Sequence, residues 1–318
     1  MTRQAGSAAE CLTATDICWY IGKYDVQEFL WSLPPQSVDL IFGSPPYEAR
    51  RTYGIGFSLS GEAWVSWMVE VYMAALRACR GLVAFVVEGS TERFRYSAVP
   101  ALLMADLHRK GVCLRKPPAF YRHGIPGSGG TDWWRNDWEF VVCATNGGKL
   151  PWSDATACGS PPRWAPGGEM SYRACDGARR NRRSGRDFAT LRHKGSTSNA
   201  YIPPKLANPG NVIACKVGGG RMGSMLAHDN EAPFPESLAE RFVCSFSPPG
   251  GCVIDPFCGS ATTGAVSIMH GRKFLGCDIR DDQVELGCRR MNEANERLKH
   301  ASAENAGRPN LGETGRGD

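Results

Sequence analysis

The tetrapeptide Ser44-Pro45-Pro46-Tyr47, which we call the hook, has the residue types best suited to chemistry in this chain of 318 residues. Two consecutive prolines fix the backbone φ angle at two positions and donate no backbone hydrogen bonds. The hook is therefore stiff, and it presents the Ser44 hydroxyl and the Pro45 carbonyl as acceptors beside the Tyr47 ring. This arrangement suits a planar ring with an exocyclic amine, which the acceptors would bind while the tyrosine stacks on it. A plain proline-rich turn is the alternative for the tetrapeptide taken alone.

A second candidate site lies far downstream, in residues 255–264, which we call the glycine turn. The turn follows the apolar residues 252–254, and a predicted helix begins near Ala261. Gly259 lets the backbone approach a ligand, the helix start offers free N–H groups, and Asp278 ends the next predicted strand. This order is typical of a site for an adenosine-containing cofactor, whose ribose hydroxyls would donate to the Asp278 carboxylate. No Gly-Lys-Ser/Thr sequence occurs, which disfavours ATP.

Short apolar runs alternate with helical patterns along the chain, which predicts an α/β fold with a mostly parallel sheet. Asp25 is predicted to cap the first of these helices and Gly81 to end the second. Predicted strands cover 17–21, 37–42, 82–87, 112–114, 138–143, 252–254 and 273–278, and predicted helices cover 26–33, 62–80, 99–110, 236–246, 261–270 and 283–300.

Composition limits the classes of protein to which the chain can belong. The hydrophobic content of 42% is enough for a sizeable core, and no apolar run is long enough to span a bilayer. The 13 cysteines include no Cys-x-x-Cys pair, which disfavours a zinc site or a disulfide framework. We therefore expect reduced thiols in a cytoplasmic protein without a signal peptide.

The net charge of +5 is concentrated in one segment. Residues 160–205 have only three acidic residues, Glu169, Asp176 and Asp187, and aromatic residues lie between the basic ones. This pattern predicts a module that grips nucleic acid, with a disordered segment as the alternative. Its basic residues are Arg163, Arg173, Arg179, Arg180, Arg182, Arg183, Arg186, Arg192, Lys194 and Lys205.

Three segments together resemble one family, the DNA amino-methyltransferases. The glycine turn resembles their motif I, which binds S-adenosylmethionine, the hook resembles their catalytic motif IV, and residues 233–242 resemble their motif X. The order here is that of the circularly permuted β class, in which the middle segment is the target-recognition region. The resemblance covers about residues 17–298. Ala261 departs from the family, which usually has glycine there, and we expect cofactor binding to survive this small change.

The resemblance implies a Rossmann-like class I methyltransferase fold, with helices on both faces of the sheet. We expect a flexible arm (1–14), a catalytic half (15–146), a target-recognition insert (147–211), a cofactor-binding half (212–300) and a disordered tail (301–318). The implied cofactor is S-adenosyl-L-methionine, and the implied partner is double-stranded DNA.

The resemblance also assigns roles to single residues, and none of these roles is metal binding. The hook residues Ser44, Pro45, Pro46 and Tyr47 would be catalytic. The cofactor-binding residues would be Asp25, Phe234, Asp255, Phe257, Gly259, Ser260, Thr262 and Asp278. DNA would be bound by Arg163, Arg179, Arg180, Arg182, Arg183 and Arg186.

The implied reaction is site-specific methylation of a base that is flipped out of the duplex. Family members with serine at the first hook position mostly methylate cytosine at N4, so we expect that product, with adenine N6 as the alternative. Methylation of protein glutamine or RNA fits the motif order less well, and a catalytically dead DNA-binding relative is a further alternative. Whether a separate restriction endonuclease accompanies the chain, and whether it is a monomer or a homodimer, stays open. The host would be a bacterium, an archaeon or a phage-infected cell.

Overall fold

The computed structural model describes residues 2–48, 56–123, 132–162, 169–183, 205–218, 220 and 222–306. Contacts between residues divide the chain into two compact units. One unit combines Met1–Asp154 with Gly210–Asp318, and the other is Ala155–Pro209.

The strands are β1 (Arg3–Gln4), β2 (Cys18–Lys23), β3 (Val38–Gly43), β4 (Cys79–Val87), β5 (Thr91–Glu92), β6 (Arg95–Tyr96), β7 (Cys113–Arg115), β8 (Ala119–His123), β9 (Trp138–Thr145), β10 (Glu169–Arg173), β11 (Arg179–Arg183), β12 (Val212–Lys216), β13 (Cys252–Asp255) and β14 (Lys273–Asp278). The helices are α1 (Ala8–Thr13), α2 (Val26–Ser32), α3 (Gly61–Ala78), α4 (Val99–Arg109), α5 (Glu236–Phe246), α6 (Thr262–Met269) and α7 (Asp281–Ala306), with a 3-10 helix at Met225–Asp229.

The larger unit is built on a ten-stranded sheet of order β1-β2-β14-β13-β3-β4-β9-β8-β12, with β7 also paired to β9. Every pair is parallel except those that β9 makes with β4, β7 and β8. The predicted mostly parallel sheet is therefore confirmed. In the described part of the chain, no helix has the length and apolar character needed to cross a membrane.

Helices cover both faces of this sheet, so its central strands are buried and mostly apolar. In β3, Ile41 packs in a cluster with side chains of α1 to α4, while Leu40 and Phe42 pack against α5 on the other face. All six residues of β3 are buried. A strand buried on both faces reads as a continuous apolar run, which is why residues 38–42 were recognisable as a strand.

The prediction of a flexible arm at residues 1–14 is wrong. Arg3–Gln4 forms a parallel pair with β2, and α1 is capped by Ser7, whose Oγ accepts from the Glu10 backbone N–H at 3.1 Å. Cys11 of α1 is fully buried in the core. The sequence signal was weak because the strand has only two residues and the helix only six. The tail prediction also fails in part, since α7 continues to Ala306, and residues 307–318 lie outside the described part.

Gly81 does not end α3, as was predicted, but lies within β4. A Cβ atom at this position would lie 2.0 Å from the Asp39 backbone carbonyl of β3. The glycine is therefore required by the close approach of two strands. Other predicted elements are confirmed, and α5 and β14 have the predicted bounds.

The smaller unit contains an antiparallel hairpin of β10 and β11, in which Arg173 pairs with Arg179. Sequence patterning predicted no regular structure in this segment, because neither strand is apolar. Four of the predicted DNA-binding arginines, Arg179, Arg180, Arg182 and Arg183, lie on β11.

Candidate active site

The hook and the glycine turn lie side by side at one edge of the sheet. Strands β3 and β13 are adjacent and parallel, with Leu40 opposite Val253, so their carboxyl ends point the same way. The hook continues from β3, and the glycine turn continues from β13. Ligands bind at this edge of open α/β sheets.

A cavity of about 560 Å³ opens where the two segments meet. Its walls include residues from the hook and from the glycine turn. Two segments that are distant in the sequence thus contribute to one site. The lining residues used below are Asp25, Ser44, Pro45, Pro46, Tyr47, Glu88, Arg122, Glu139, Asn230, Phe234, Phe257, Gly259, Thr262 and Asp278.

The Ser44 hydroxyl is oriented by a long hydrogen bond, in which Oγ donates to the Val86 carbonyl at 3.4 Å. A hydroxyl that donates its one proton still has two lone pairs for accepting. The Pro46 carbonyl is bonded within the protein, because it accepts from Trp64 Nε1 at 2.9 Å. Ser44 and Pro45 therefore remain the acceptors predicted for a bound amine.

Tyr47 is held by residues that the sequence analysis did not identify. Its hydroxyl donates to Glu139 Oε2 at 2.8 Å, and the other carboxylate oxygen of Glu139 accepts from an Arg122 guanidinium nitrogen at 3.0 Å. Glu139 is 8% exposed and lies in β9. This network fixes the phenol end of Tyr47 while its ring lines the cavity. A buried glutamate within an apolar strand was the available signal.

Glu48 fixes the far end of the hook. This buried carboxylate accepts from the Gly61 backbone N–H at 2.8 Å, and from the backbone N–H and the hydroxyl of Ser90 at 3.2 and 3.1 Å. Burial disfavours the charged form, but a hydrogen bond from the Ser97 side chain, together with those from Gly61 and Ser90, outweighs it and lowers the pKa of Glu48. The hook is thereby joined to the start of α3 and to the segment after β4.

Glu88, which follows β4, is a second carboxyl group on the hook side of the cavity. Its Oε1 accepts from the Gly89 backbone N–H at 2.9 Å and from the Tyr96 hydroxyl at 2.8 Å. Burial raises the pKa of Glu88, although those two hydrogen bonds oppose the shift. No general base was evident from the residue pattern, and the structure places this proton-accepting group in the cavity wall.

On the cofactor side, Asp278 organises the glycine turn. Its two carboxylate oxygens accept from the backbone N–H groups of Gly259 at 3.1 Å and Arg280 at 3.0 Å. Burial raises the pKa of Asp278, and the hydrogen bonds oppose that shift. Each carboxylate oxygen has two lone pairs, so acceptor capacity remains for a ligand hydroxyl.

Gly259 has a positive φ of 45°, and a Cβ atom there would lie 2.6 Å from Asn230 Nδ2. The backbone of the glycine turn is thus open to the cavity only because this residue has no side chain. Asn230 lines the same cavity and was not predicted from the sequence. It precedes α5 in an irregular stretch that lacks periodicity.

Four further predicted cofactor-binding residues line the cavity: Asp25, Phe234, Phe257 and Thr262. Asp25 caps α2, as predicted, by accepting from the Gln27 backbone N–H at 2.8 Å. Phe257 packs edge-on against Phe85 at a centroid distance of 5.6 Å, which fixes its ring at the cavity wall.

Asp255 and Ser260, which were also predicted to bind the cofactor, are fully buried and do not line the cavity. The Asp255 carboxylate lies beneath the site, where it accepts from the Phe257 backbone N–H at 3.1 Å and the Thr263 hydroxyl at 2.9 Å. Ser260 Oγ accepts from Asn230 Nδ2 at 3.5 Å. Both residues support the glycine turn from within the protein.

Two of the predicted DNA-binding arginines make contacts with other residues of the smaller unit. Arg179 donates to Ser171 Oγ at 3.0 Å, and Arg180 forms an ion pair with Asp176. Arg163 and Arg186 lie outside the described residues. The DNA-binding role of the insert stays a prediction.

Comparison with known proteins shows a family and several relatives that this chain matches. Residues 38–288 match the family model N6_N4_Mtase, described as DNA methylase. The chain is 25% identical to the DNA adenine methyltransferase YhdJ of Escherichia coli over 287 residues, which are 90% of this chain and 85% of that relative. It is 39% identical to the orphan methyltransferase M.BamHII of Bacillus amyloliquefaciens over 75 residues, 24% of this chain and 26% of that one.

Two solved structures share the fold. The cytosine-N4-specific PvuII DNA methyltransferase matches with a TM-score of 0.60 and 16% identity, over 90% of this chain and 93% of its own. A protein of Thermus thermophilus, described as a DNA modification methylase and solved with S-adenosyl-L-methionine, matches with a TM-score of 0.52 and 19% identity over 86% of this chain and 93% of its own.

The buried Asp255 carboxyl should make stability depend on pH. Burial raises its pKa to about 7, so the folded protein keeps a proton that the unfolded chain releases near pH ~4. The resulting stabilisation is complete below that lower value and is lost as the pH rises through about 7. Asp255→Asn should therefore gain stability relative to wild type as the pH rises from ~5 to ~7, by at most ~1.4 kcal/mol per pH unit. Urea unfolding at both pH values measures this difference, and a difference independent of pH would contradict the assignment.

Ala261 adopts a left-handed backbone conformation, with φ 54° and ψ 40°, at the N-cap of α6. This conformation costs a residue with a Cβ atom about 1–2 kcal/mol, and glycine avoids that cost while losing about 0.5–1 kcal/mol in chain entropy. Ala261 is fully buried, so losing its methyl group costs a further ~0.8 kcal/mol. Ala261→Gly should therefore change the stability by less than about 1 kcal/mol, and its midpoint in urea should stay close to that of wild type with an unchanged slope. Ala265→Gly, in the interior of the same helix, is the control and should lower the midpoint.

Proposed function

Since this chain belongs to the DNA methylase family of amino-methyltransferases, we propose that it methylates cytosine at N4 in double-stranded DNA, with S-adenosylmethionine as the methyl donor. The observation that carries this proposal is the single cavity lined by both the hook and the glycine turn. The hook is suited to an amine on a planar ring, and the glycine turn is suited to a nucleoside-containing donor.

The residues on the glycine-turn side fit S-adenosylmethionine. The Cβ-free surface of Gly259 admits a ligand close to the backbone, and Asp278 has acceptor capacity for ribose hydroxyls. Asp25 and the ring of Phe257 supply a further acceptor and an apolar wall. When bound, S-adenosylmethionine supplies an electrophilic methyl group on a sulfonium centre.

The hook would bind the base after it leaves the duplex. Base flipping is needed because the amine of a paired base is inaccessible within the stack. The Tyr47 ring, fixed through Glu139 and Arg122, would stack on the flipped base. Ser44 and the Pro45 carbonyl would accept from the amine, which keeps the nitrogen lone pair out of the ring system and available for attack. Positioning and electrostatics would supply most of the acceleration.

The attacking amine gains a positive charge when it takes the methyl group, and it must then lose a proton. Glu88 is suited to accept that proton, because it lines the hook side of the cavity and burial raises its pKa. No covalent intermediate with the protein is required in this mechanism.

The choice of cytosine depends on Ser44, since the family members that the hook resembles mostly use serine for cytosine N4. Adenine N6 is the second candidate, because the relative that matches 90% of the chain is an adenine methyltransferase. Both bases present an amine next to a ring nitrogen, so the hook alone suits either.

We further propose that residues 155–209 read the target sequence, with the arginines of β11 contacting phosphates.

Nucleoside analysis decides between the two bases. Expression in a host strain without its own DNA methyltransferases should yield DNA that contains N4-methyldeoxycytidine by digestion and mass spectrometry. N6-methyldeoxyadenosine in its place would establish the second candidate. The absence of both, for a protein that is folded and binds S-adenosylmethionine, would contradict methylation of DNA. Long-read sequencing of the same DNA would give the recognition sequence.

Two substitutions should separate the two halves of the site. Ser44→Ala should lower the rate of methyl transfer about 100-fold or more by removing an acceptor for the amine, while the affinity for S-adenosylmethionine in calorimetry stays unchanged. Asp278→Ala should weaken that affinity about tenfold or more, because a charged acceptor for the ribose is lost. Asp278→Asn, which keeps one acceptor oxygen, should lie between Asp278→Ala and wild type. A Ser44→Ala variant that loses cofactor affinity as strongly as Asp278→Ala would contradict this division.

A further inference from the structure

A short hairpin follows directly after Glu88, which lines the cavity. Its strands β5 and β6 pair antiparallel, with Thr91 opposite Tyr96 and Glu92 opposite Arg95. The two residues between them, Arg93 and Phe94, form the tip.

Both tip residues have a left-handed backbone, with φ of 47° at Arg93 and 65° at Phe94. A two-residue hairpin turn of this kind favours Asn-Gly or Asp-Gly, because glycine has no Cβ atom to clash. For residues such as arginine and phenylalanine the conformation is a true outlier. Strain of this kind persists only where the surrounding structure holds it in place, and it is concentrated at active sites and ligand-binding segments.

The base of the hairpin is rigidly attached to the cavity wall. The Ser97 backbone N–H donates to the Ser90 carbonyl at 2.7 Å, and the Tyr96 hydroxyl donates to Glu88 at 2.8 Å. A Cβ atom on Gly89 would lie 1.9 Å from the Ser97 carbonyl, so the hairpin packs directly on the strand end. The strained tip is therefore supported by hairpin ends that are fixed to the rest of the protein.

Phe94 is 90% exposed, more than any other large hydrophobic residue in the described part of the chain, and Arg93 and Arg95 are exposed beside it. A single exposed apolar residue is ordinary by itself. Here it lies on a strained and anchored turn, two residues from Tyr96 and thus within about 7 Å of it along the backbone. The tip therefore presents an exposed aromatic ring between two cations, on a hairpin whose base is bonded to Glu88 of the cavity wall.

We propose that Phe94 is a wedge that enters the base stack of double-stranded DNA and fills the gap left by the flipped base, while Arg93 and Arg95 contact the flanking phosphates. This inference rests on the proposed function, because the duplex must lie at the cavity mouth for its base to reach the hook. Proteins that open a base step commonly insert phenylalanine or a similar apolar side chain. Arginine beside such a wedge is attracted to the phosphate backbone.

A wedge is needed only when the target base is paired and stacked, which gives a selective test. The probes are two duplex oligonucleotides with the recognition sequence found by sequencing, one fully paired and one with an abasic site opposite the target base. Phe94→Ala should lower the single-turnover rate on the paired duplex about 10- to 100-fold, which corresponds to an unstacking cost of a few kcal/mol. The rate on the abasic duplex should fall less than about threefold, since little flipping work remains there.

Matched variants separate a wedge from a structural role. Replacing the tip by Asn-Gly (Arg93→Asn with Phe94→Gly) should raise the urea midpoint by relieving strain, and should still slow methylation of the paired duplex. Phe94→Trp should keep the activity on both duplexes. Trp31→Ala, which removes an exposed aromatic residue from α2, should leave both rates unchanged.

The outcomes distinguish this inference from the proposed function. Equal losses on both duplexes, or no loss for Phe94→Ala on the paired duplex while wild type methylates it, would overturn the wedge and leave the proposed function standing. A folded wild-type protein that leaves no methylated base in the DNA of expressing cells, so that no recognition sequence is found, would overturn both. A loss confined to the paired duplex would establish the wedge.

Discussion

The packing of the Asp255 carboxylate against Gly43 is the contact on which the site depends. A Cβ atom at Gly43 would lie 2.1 Å from Asp255 Oδ1, so β3 must end in glycine if β13 is to end in this aspartate beside it. The carboxylate accepts from the Phe257 backbone and from the Thr263 hydroxyl, and Thr263 Oγ1 also lies 3.5 Å from the Phe42 carbonyl of β3. One buried acid thereby fixes the hook strand, the glycine turn and the start of α6 relative to one another. The cost of this arrangement is a carboxyl group whose pKa burial raises to about 7.

The carboxyl groups around the cavity differ because burial and hydrogen-bond donors compete differently at each. Glu48 is buried yet has a lowered pKa, since several donors converge on it. Asp278 is half-buried and Glu88 is buried, and each accepts two hydrogen bonds, but there the loss of solvation dominates and their pKa values rise. The same residue type can therefore anchor the hook as a stable anion at one position and accept a proton at another.

The sequence predicted the parts of the fold and of the site that depend on local pattern. The hook, the glycine turn and the strand before Asp278 were visible because each follows an apolar run with turn residues at its end. Glu88, Glu139 and Asn230 were not predicted, because only the pairing of distant strands brings them to the cavity. Asp255 was predicted to bind the cofactor because it ends a strand directly before the glycine turn. It does not line the cavity, because its carboxyl group packs against Gly43 and accepts from the Phe257 backbone and the Thr263 hydroxyl. The Arg93-Phe94 tip left no signal, since its residues are not those that such a turn favours.

The central claim is that two segments more than 200 positions apart in the sequence form one reaction cavity. The most direct test is a crystal structure of the protein with sinefungin, an analogue of S-adenosylmethionine that has an amine in place of the transferable methyl group. We predict that its ribose hydroxyls contact Asp278 and that its amine points across the cavity towards Ser44 and Tyr47. A ligand bound elsewhere, or bound with its amine directed away from the hook, would contradict the account.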